Sequence, residues 1–207
     1  MGKTFIAIII FGFTVTSSFA AVVEGVNMPE RVRVGSEELV LNGAGVRVKK
    51  IAFFPKNIYV AGLYLKAKSG DAGKIINADE TMALRIKIIT SLITSKLFTE
   101  HTRDGFKEST NGNTAPIQKE IDQFLNVFSE KIHKGDLFEI IYRKGIGVQV
   151  FKNGADHPAV TIAGMPLKSA LFGVWLGNRS EENLRILTVH LLGNDRLNNR
   201  GAKMVNQ

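Results

Sequence analysis

The sequence predicts an α+β fold, a mainly antiparallel sheet with helices gathered on one face. Apolar, β-branched segments fall into two groups, and each group is followed by two helical segments. Short turn signals separate the strands, and tight turns join antiparallel neighbours only. The 207 residues include 44% apolar and 22% charged residues, a composition typical of a single globular domain.

The first twenty residues have the three parts of a secretory signal peptide. Lys3 supplies the positive charge, residues 5–15 are apolar, and Ser18-Phe19-Ala20 offers small residues for cleavage after Ala20 or Ala21. The apolar segment is short for an ordinary membrane span. We therefore expect residues 1–20 to be removed from a periplasmic or secreted protein that has no transmembrane span afterwards. An uncleaved anchor is the alternative.

The first group of strands begins with a predicted hairpin. Residues 45–54 and 58–65 are apolar and β-branched, and Pro55-Lys56 lies between them as the expected loop. Residues 71–78 form a short polar segment of one or two helical turns. Residues 82–90 alternate between apolar and polar side chains, which predicts a half-buried strand.

Two helices are predicted in the middle of the chain. Thr94 or Ser95 is the expected cap of the first helix, which carries His101 among apolar positions. Pro116 stands at the first position of the second helix, whose apolar stripe reaches Ile132.

The last third of the chain repeats the order of strands followed by helices. Lys144-Gly145 and Asn153-Gly154 separate three strand-like segments, and Ser180 is the expected cap of the last helix. The predicted segments are strands at 136–143, 147–152 and 158–163, a helix at 167–176, and a last helix ending before Gly193. With no internal repeat or linker, residues 21–193 are expected to form one domain and residues 194–207 a polar C-terminal tail.

Charge and composition limit the classes of function. Lys and Arg number 27 against 19 acidic residues, a net charge of +8 that becomes +7 when Lys3 is removed. This balance favours anionic partners, although a merely basic protein is the simpler interpretation and export argues against nucleic acid. The chain has no cysteine, and its four histidines lack metal-ligand spacing. Phosphate-binding and dinucleotide motifs are also missing, so we expect no metal and no cofactor.

Two pairs of adjacent carboxylates do not predict catalysis. Glu37 and Glu38 diverge on a strand, whereas Glu181 and Glu182 are expected in the first turn of a helix, where they favour its dipole.

One set of residues suits an anionic ligand. Arg47 lies on a strand next to a segment that contains Tyr59 and Tyr64, and a planar guanidinium with a phenol hydroxyl suits a carboxylate or phenolate. If Pro55-Lys56 is the loop, Arg47 faces Tyr64, but a slip of one residue places Tyr59 on the Arg47 face instead. An exposed strand arginine beside a tyrosine at the rim is the alternative.

The same segments resemble the chalcone isomerase family, especially its bacterial chalcone isomerase-like branch. The resemblance is carried by the segments LNGAGVR at 41–47, YVAGLYL at 59–65 and FGVWLG at 172–177, the last followed by Glu182-Asn183-Leu184. It covers roughly residues 24–193. It implies an open-faced β-sandwich, a large antiparallel sheet with helices layered on it and a ligand cleft between the layers.

The resemblance implies two possible functions. Plant members of the family close a chalcone to a flavanone, and their arginine on the glycine-rich strand matches Arg47. Their catalytic threonine falls at Tyr59, and their tyrosine and asparagine of the first middle helix fall near Phe98 and Gly105, so most of the cyclisation machinery is missing. Non-catalytic relatives bind fatty acids in the same cleft, with an arginine and a tyrosine on the carboxylate.

The expected function is therefore binding of a small amphipathic acid, fatty or phenolic. Arg47 is the expected anion anchor, Tyr59 or Tyr64 is expected beside it, and Phe98 and His101 are expected in the opposite wall of the cleft. An isomerase of the intramolecular lyase type, acting on an unknown substrate, is the alternative.

Overall fold

Eight strands form one open antiparallel sheet in which each strand pairs with the next one in the chain. The computed structural model describes residues 15–178 and 180–194, with side chains from residue 21 onward. The predicted α+β class is confirmed. The strands are β1 Val15–Val23, β2 Val26–Val34, β3 Glu37–Ile51, β4 Phe54–Leu65, β5 Met82–Ile88, β6 Leu137–Arg143, β7 Gly147–Lys152 and β8 Val160–Ile162.

Five helices contribute to the core on one face of this sheet. Side chains alternate between faces along a strand, so Tyr59, Ala61 and Leu63 of β4 point to the same core as the helices. None of the helices in the described residues combines the length and apolar character that crossing a membrane requires. The helices are α1 Ala72–Asn77, α2 Ser95–Ser109, α3 Gln118–Asn126, α4 Met165–Leu176 and α5 Glu182–Leu191, with a 3₁₀ turn at Ala115–Ile117 before α3.

A second, smaller apolar cluster lies on the other face of the sheet. It contains Val60 and Tyr64 of β4, which alternate with the residues that face the helices. The Tyr64 hydroxyl donates a hydrogen bond to the carbonyl oxygen of Pro29, at 3.1 Å. Tyr64 is fully buried and belongs to this opposite layer.

The loop of the β3–β4 hairpin differs from the prediction. The turn is Ala52-Phe53, and Pro55 is a strand residue that pairs with Lys50. Both turn residues have positive φ angles, 46° and 72°, as the common two-residue hairpin turn requires. Neither alanine nor phenylalanine favours that conformation, so the turn has no signal in the sequence.

An irregularity in the pairing between Arg47 and Val48 sets the register of the hairpin. Val48 pairs with Asn57, but the next pair is Arg47 with Tyr59. This bulge resolves the alternative that the sequence left open, because it places Tyr59 beside Arg47.

Two other elements differ from the predictions. Helix α3 ends at Asn126, although Phe128 and Ile132 beyond it are still buried. Helix α5 begins at Glu182 with Glu181 as its N-cap residue, so the predicted cap at Ser180 is wrong. The cap of α2 at Thr94 is confirmed, since its hydroxyl accepts a hydrogen bond from the Leu97 amide.

Most of the predicted signal peptide and nearly all of the predicted C-terminal tail lie outside the described residues. Strand β1 includes Val15 to Ala20 of the predicted signal peptide, whereas residues 1–14 lie outside the described residues. Residues 195–207 of the predicted polar tail also lie outside them.

Candidate functional site

A cavity of about 60 Å³ lies between the sheet and helices α2, α4 and α5. Most of its wall is apolar, and its polar groups come from β3, β4 and the middle of α2. The apolar wall residues are Ile58, Ile93, Leu97, Phe98, Val174, Trp175 and Leu184, and the polar ones are Arg47, Lys49, Tyr59, His101 and Thr102.

Arg47 is buried, with 7% of its surface exposed, and it is paired with a carboxylate of the protein itself. Its two terminal nitrogens donate to the two carboxylate oxygens of Glu181, at 3.0 and 2.7 Å, and Nη1 also donates to the carbonyl oxygen of Val48 at 2.8 Å. This two-pronged geometry is the strongest way in which a guanidinium holds a carboxylate. The Arg47 guanidinium therefore has hydrogen-bond acceptors within the protein, and one of them is a carboxylate that it binds through both terminal nitrogens.

Glu181 is shared between two cations. The ammonium of Lys49 lies 3.4 Å from Oε2 of Glu181, the oxygen that also accepts from Arg47. Burial works to raise the pKa of Glu181, but the hydrogen bonds and charges of Arg47 and Lys49 outweigh it and lower the pKa below its ordinary value. The carboxylate is therefore ionised at neutral pH, and the three groups carry one net positive charge.

His101 brings an unused hydrogen-bonding group to the cavity. Burial and the nearby charges of Lys49 and Arg47 lower the pKa of His101, so the ring is neutral at pH 7. Its Nδ1 faces the Lys49 ammonium at 3.4 Å and must accept there, which assigns the hydrogen to Nε2. Nε2 is buried and has no hydrogen-bond partner among the described residues. A ligand oxygen in the cavity would supply one.

Tyr59 contributes a hydroxyl that is held in position by α4. The indole Nε1 of Trp175 donates to the Tyr59 oxygen at 3.0 Å. Burial is the main reason that the pKa of Tyr59 is raised, although Arg47 and Trp175 act in the opposite direction. The phenol therefore keeps its hydrogen at neutral pH and can donate it to a ligand.

Phe98 closes the apolar end of the cavity. Its ring packs against Phe128 at 4.6 Å between centroids and against Phe138 at 6.4 Å, and it meets the Tyr59 ring edge-on at 6.5 Å. An aromatic cluster of this kind offers dispersion contacts and no hydrogen bond.

The cavity brings together four of the five residues that the sequence singled out. Arg47, Tyr59, Phe98 and His101 line it, whereas Tyr64 lies on the opposite face of the sheet.

Among other residues, sequence reasoning missed the three side chains that bind Arg47, His101 and Tyr59. Lys49 had a signal, because it stands two positions after Arg47 on the same strand. Trp175 and Glu181 had no such signal, because each lies more than a hundred positions along the chain from the residue that it binds. Assigning Glu181 to the dipole of its helix was incomplete, because its side chain binds Arg47 instead.

Comparisons with known proteins agree with this architecture. The family described as chalcone isomerase-like matches residues 20–193. A crystal structure of a fatty-acid binding protein of Arabidopsis thaliana has a similar fold, with a TM-score of 0.64 over 88% of this chain and 96% of that chain at 16% identity. The comparison with curated protein sequences gives no match.

Proposed function

Since the chain belongs to the chalcone isomerase-like family, we propose that it binds a small amphipathic acid, fatty or phenolic, with its carboxylate at Arg47. The observation that carries the proposal is the carboxylate of Glu181, which Arg47 already holds at the edge of an apolar cavity. The Arabidopsis protein of similar fold is described as binding fatty acids, which supports a ligand of this class.

Glu181 occupies the position that the ligand carboxylate takes in this proposal. Its side chain is 38% exposed, against 8% for that of Arg47, so Glu181 can turn to solvent while Arg47 stays in place. Exchanging one carboxylate for another keeps the guanidinium paired, which avoids the cost of a buried, unpaired charge. Lys49, His101 and Tyr59 then surround the incoming carboxylate with one cation and two further donors.

The size of the cavity adds a second requirement. Ligand sites commonly measure ~300–1,000 Å³, whereas this cavity has about 60 Å³, room for about two water molecules. An acyl chain therefore enters only when side chains of the wall move apart. The departure of Glu181 opens the polar end, and burial of the chain against Leu97 and Phe98 supplies most of the binding energy, at ~25 cal/mol per Å².

Two observations favour binding over an isomerase. Phe98 is packed into an aromatic cluster and cannot orient a substrate through a hydrogen bond. The raised pKa of Tyr59 keeps its phenol protonated, which makes it a poor base.

Binding of palmitate and of 4-hydroxycinnamate by titration calorimetry tests the proposal. We expect Arg47→Ala to weaken binding at least tenfold, because a charge-assisted hydrogen bond contributes ~1.5–3 kcal/mol. Arg47→Lys should also weaken it, since a point charge replaces a planar fork. Glu181→Gln should tighten it, since the competing carboxylate is lost.

Arg31→Ala is the matched control for these titrations. Arg31 also pairs with a glutamate, Glu38, but on the exposed part of β2 and β3. Equal affinity of wild type and Arg47→Ala for both acids would remove Arg47 as the anchor. Weaker binding by Glu181→Gln would show that Glu181 supports the ligand instead of competing with it.

We also propose that the protein is exported and that its signal peptide is removed. The pattern of charge, apolar segment and small residues supports this proposal. Mass spectrometry of the protein from a cell-envelope fraction should give a chain that starts at Ala21 or Val22. Strand β1 would then be shortened to its last residues. A mature chain that retains Lys3 would refute the proposal.

A further inference from the structure

The tip of the β3–β4 hairpin exposes two adjacent aromatic rings. Phe53 is 97% exposed and Phe54 is 67% exposed, so neither contributes much to the core. Ala52 and Phe53 also adopt the left-handed conformation, which residues with a side chain rarely favour. Asparagine or glycine would adopt this turn with less strain than Ala52 and Phe53.

Basic side chains flank these two rings. Lys50 and Lys56 are both exposed, and neither has an ion-pair partner within residues 15–178 and 180–194. The sequence has no acidic residue between Glu38 and Asp71. The tip therefore combines exposed aromatic surface with unneutralised positive charge.

The hairpin reaches past the neighbouring strand. Strand β4 pairs with β5 only from Tyr59 onward, where Tyr59 lies opposite Ile88. Phe54 stands five positions before Tyr59, and at ~3.3 Å per residue the tip extends about 16 Å beyond that pair. Leu92, which follows β5 at the same end of the sheet, is also exposed. The tip therefore projects beyond the paired part of β5.

We infer that the β3–β4 hairpin is a membrane-contact element that places Phe53 and Phe54 in the interface of an anionic lipid bilayer. Aromatic rings prefer the interface between headgroups and acyl chains, and lysines beside them gain from anionic headgroups. Arg47 and Lys49 of the cavity stand on the same strand as the tip, four to six residues from Phe53. Docking therefore brings the polar end of the cavity towards the bilayer. The inference depends only on the hairpin and holds whether or not the cavity binds an acid.

Vesicle co-sedimentation tests this inference with the full chain. We expect binding to vesicles of phosphatidylglycerol and phosphatidylcholine, weaker binding at high salt, and much less binding to phosphatidylcholine alone. The double variant Phe53→Ser/Phe54→Ser should bind the anionic vesicles at least tenfold more weakly. Lys50→Gln and Lys56→Gln should each weaken binding about fivefold.

The control is Ile146→Ser. Ile146 is also an exposed apolar residue of a hairpin turn, but it lies between β6 and β7 at the opposite end of the sheet. Its binding should equal that of wild type, and circular dichroism should show that every variant is folded. Equal vesicle binding by wild type and the double phenylalanine variant would overturn the inference. A second result would also overturn it. If wild type does not bind anionic vesicles but self-associates, and the double variant does not self-associate, the tip contacts protein and not lipid. Titration of palmitate into the same variants reports on the cavity separately.

Discussion

Replacement of Lys168 by methionine is expected to lower the free energy of unfolding by about 3 kcal/mol. Lys168 is fully buried on α4, and its ammonium donates to the carbonyl oxygens of Ile75, Ile76 and Ala78 at 2.6–2.9 Å. These carbonyls belong to the C-terminal end of α1, where a helix leaves acceptors unpaired and favours a cation. Methionine fills a similar volume but leaves those acceptors in an apolar environment.

Urea denaturation of wild type and Lys168→Met measures this loss. The control is Ser169→Ala, because the Ser169 hydroxyl also donates to Ile76 but supplies only one neutral hydrogen bond, which should cost about 1 kcal/mol. A methionine variant as stable as wild type would show that the desolvation cost of the ammonium cancels its three bonds.

The pH dependence of the same comparison has a defined sign. Burial lowers the pKa of Lys168 to about 8 from an ordinary value of 10.5. The unfolded chain therefore binds more protons than the folded one between these values, and wild type gains stability as the pH rises through that range. Lys168→Met lacks this gain. The free energy of unfolding should therefore differ more between the two proteins at pH 10 than at pH 7.

Much of the fold followed from periodicity and turn residues, since both are local properties. The alternation in β5 and the Thr94 cap of α2 could be predicted, because the residues that determine them are neighbours in the sequence. The β3–β4 turn was not, since Ala52-Phe53 carries no residue that favours positive φ. The nearby bulge places Tyr59 on the same face of the sheet as Arg47, and no residue type predicts such an irregularity.

The candidate site also contains a part that local sequence predicts and a part that depends on contacts between distant segments. Arg47 and Tyr59 could be paired from the sequence because they lie on consecutive strands of one hairpin. Glu181 could not be joined to them, because its position depends on how α5 packs on β3, a contact between segments 134 residues apart. Because Glu181 binds Arg47, the anion anchor that the sequence predicts is already paired with a carboxylate of the protein.

Gly43→Ala is expected to be the most disruptive single-methyl change near the site. Strand β3 meets the end of α5 so closely at Gly43 that an added Cβ would lie 2.9 Å from the Leu191 carbonyl oxygen and closer still to that of His190. Both atoms belong to backbone and cannot rotate away, so α5 must shift. We expect a loss of about 3 kcal/mol in the free energy of unfolding, at the upper end of the usual cost of overpacking.

The same substitution should disturb the site, because Glu181 is the N-cap residue of α5. A shift of α5 moves Glu181 relative to Arg47, which stays on β3, and lengthens the bonds between them. Urea denaturation measures the stability, and palmitate titration measures the site. The control is Gly73→Ala in α1, where the added Cβ meets only Asp71 at 3.4 Å and the helix should gain up to ~1 kcal/mol. If Gly43→Ala is as stable as wild type, α5 can slide on β3 without cost. The packing of α5 would then not be what holds Glu181 at Arg47.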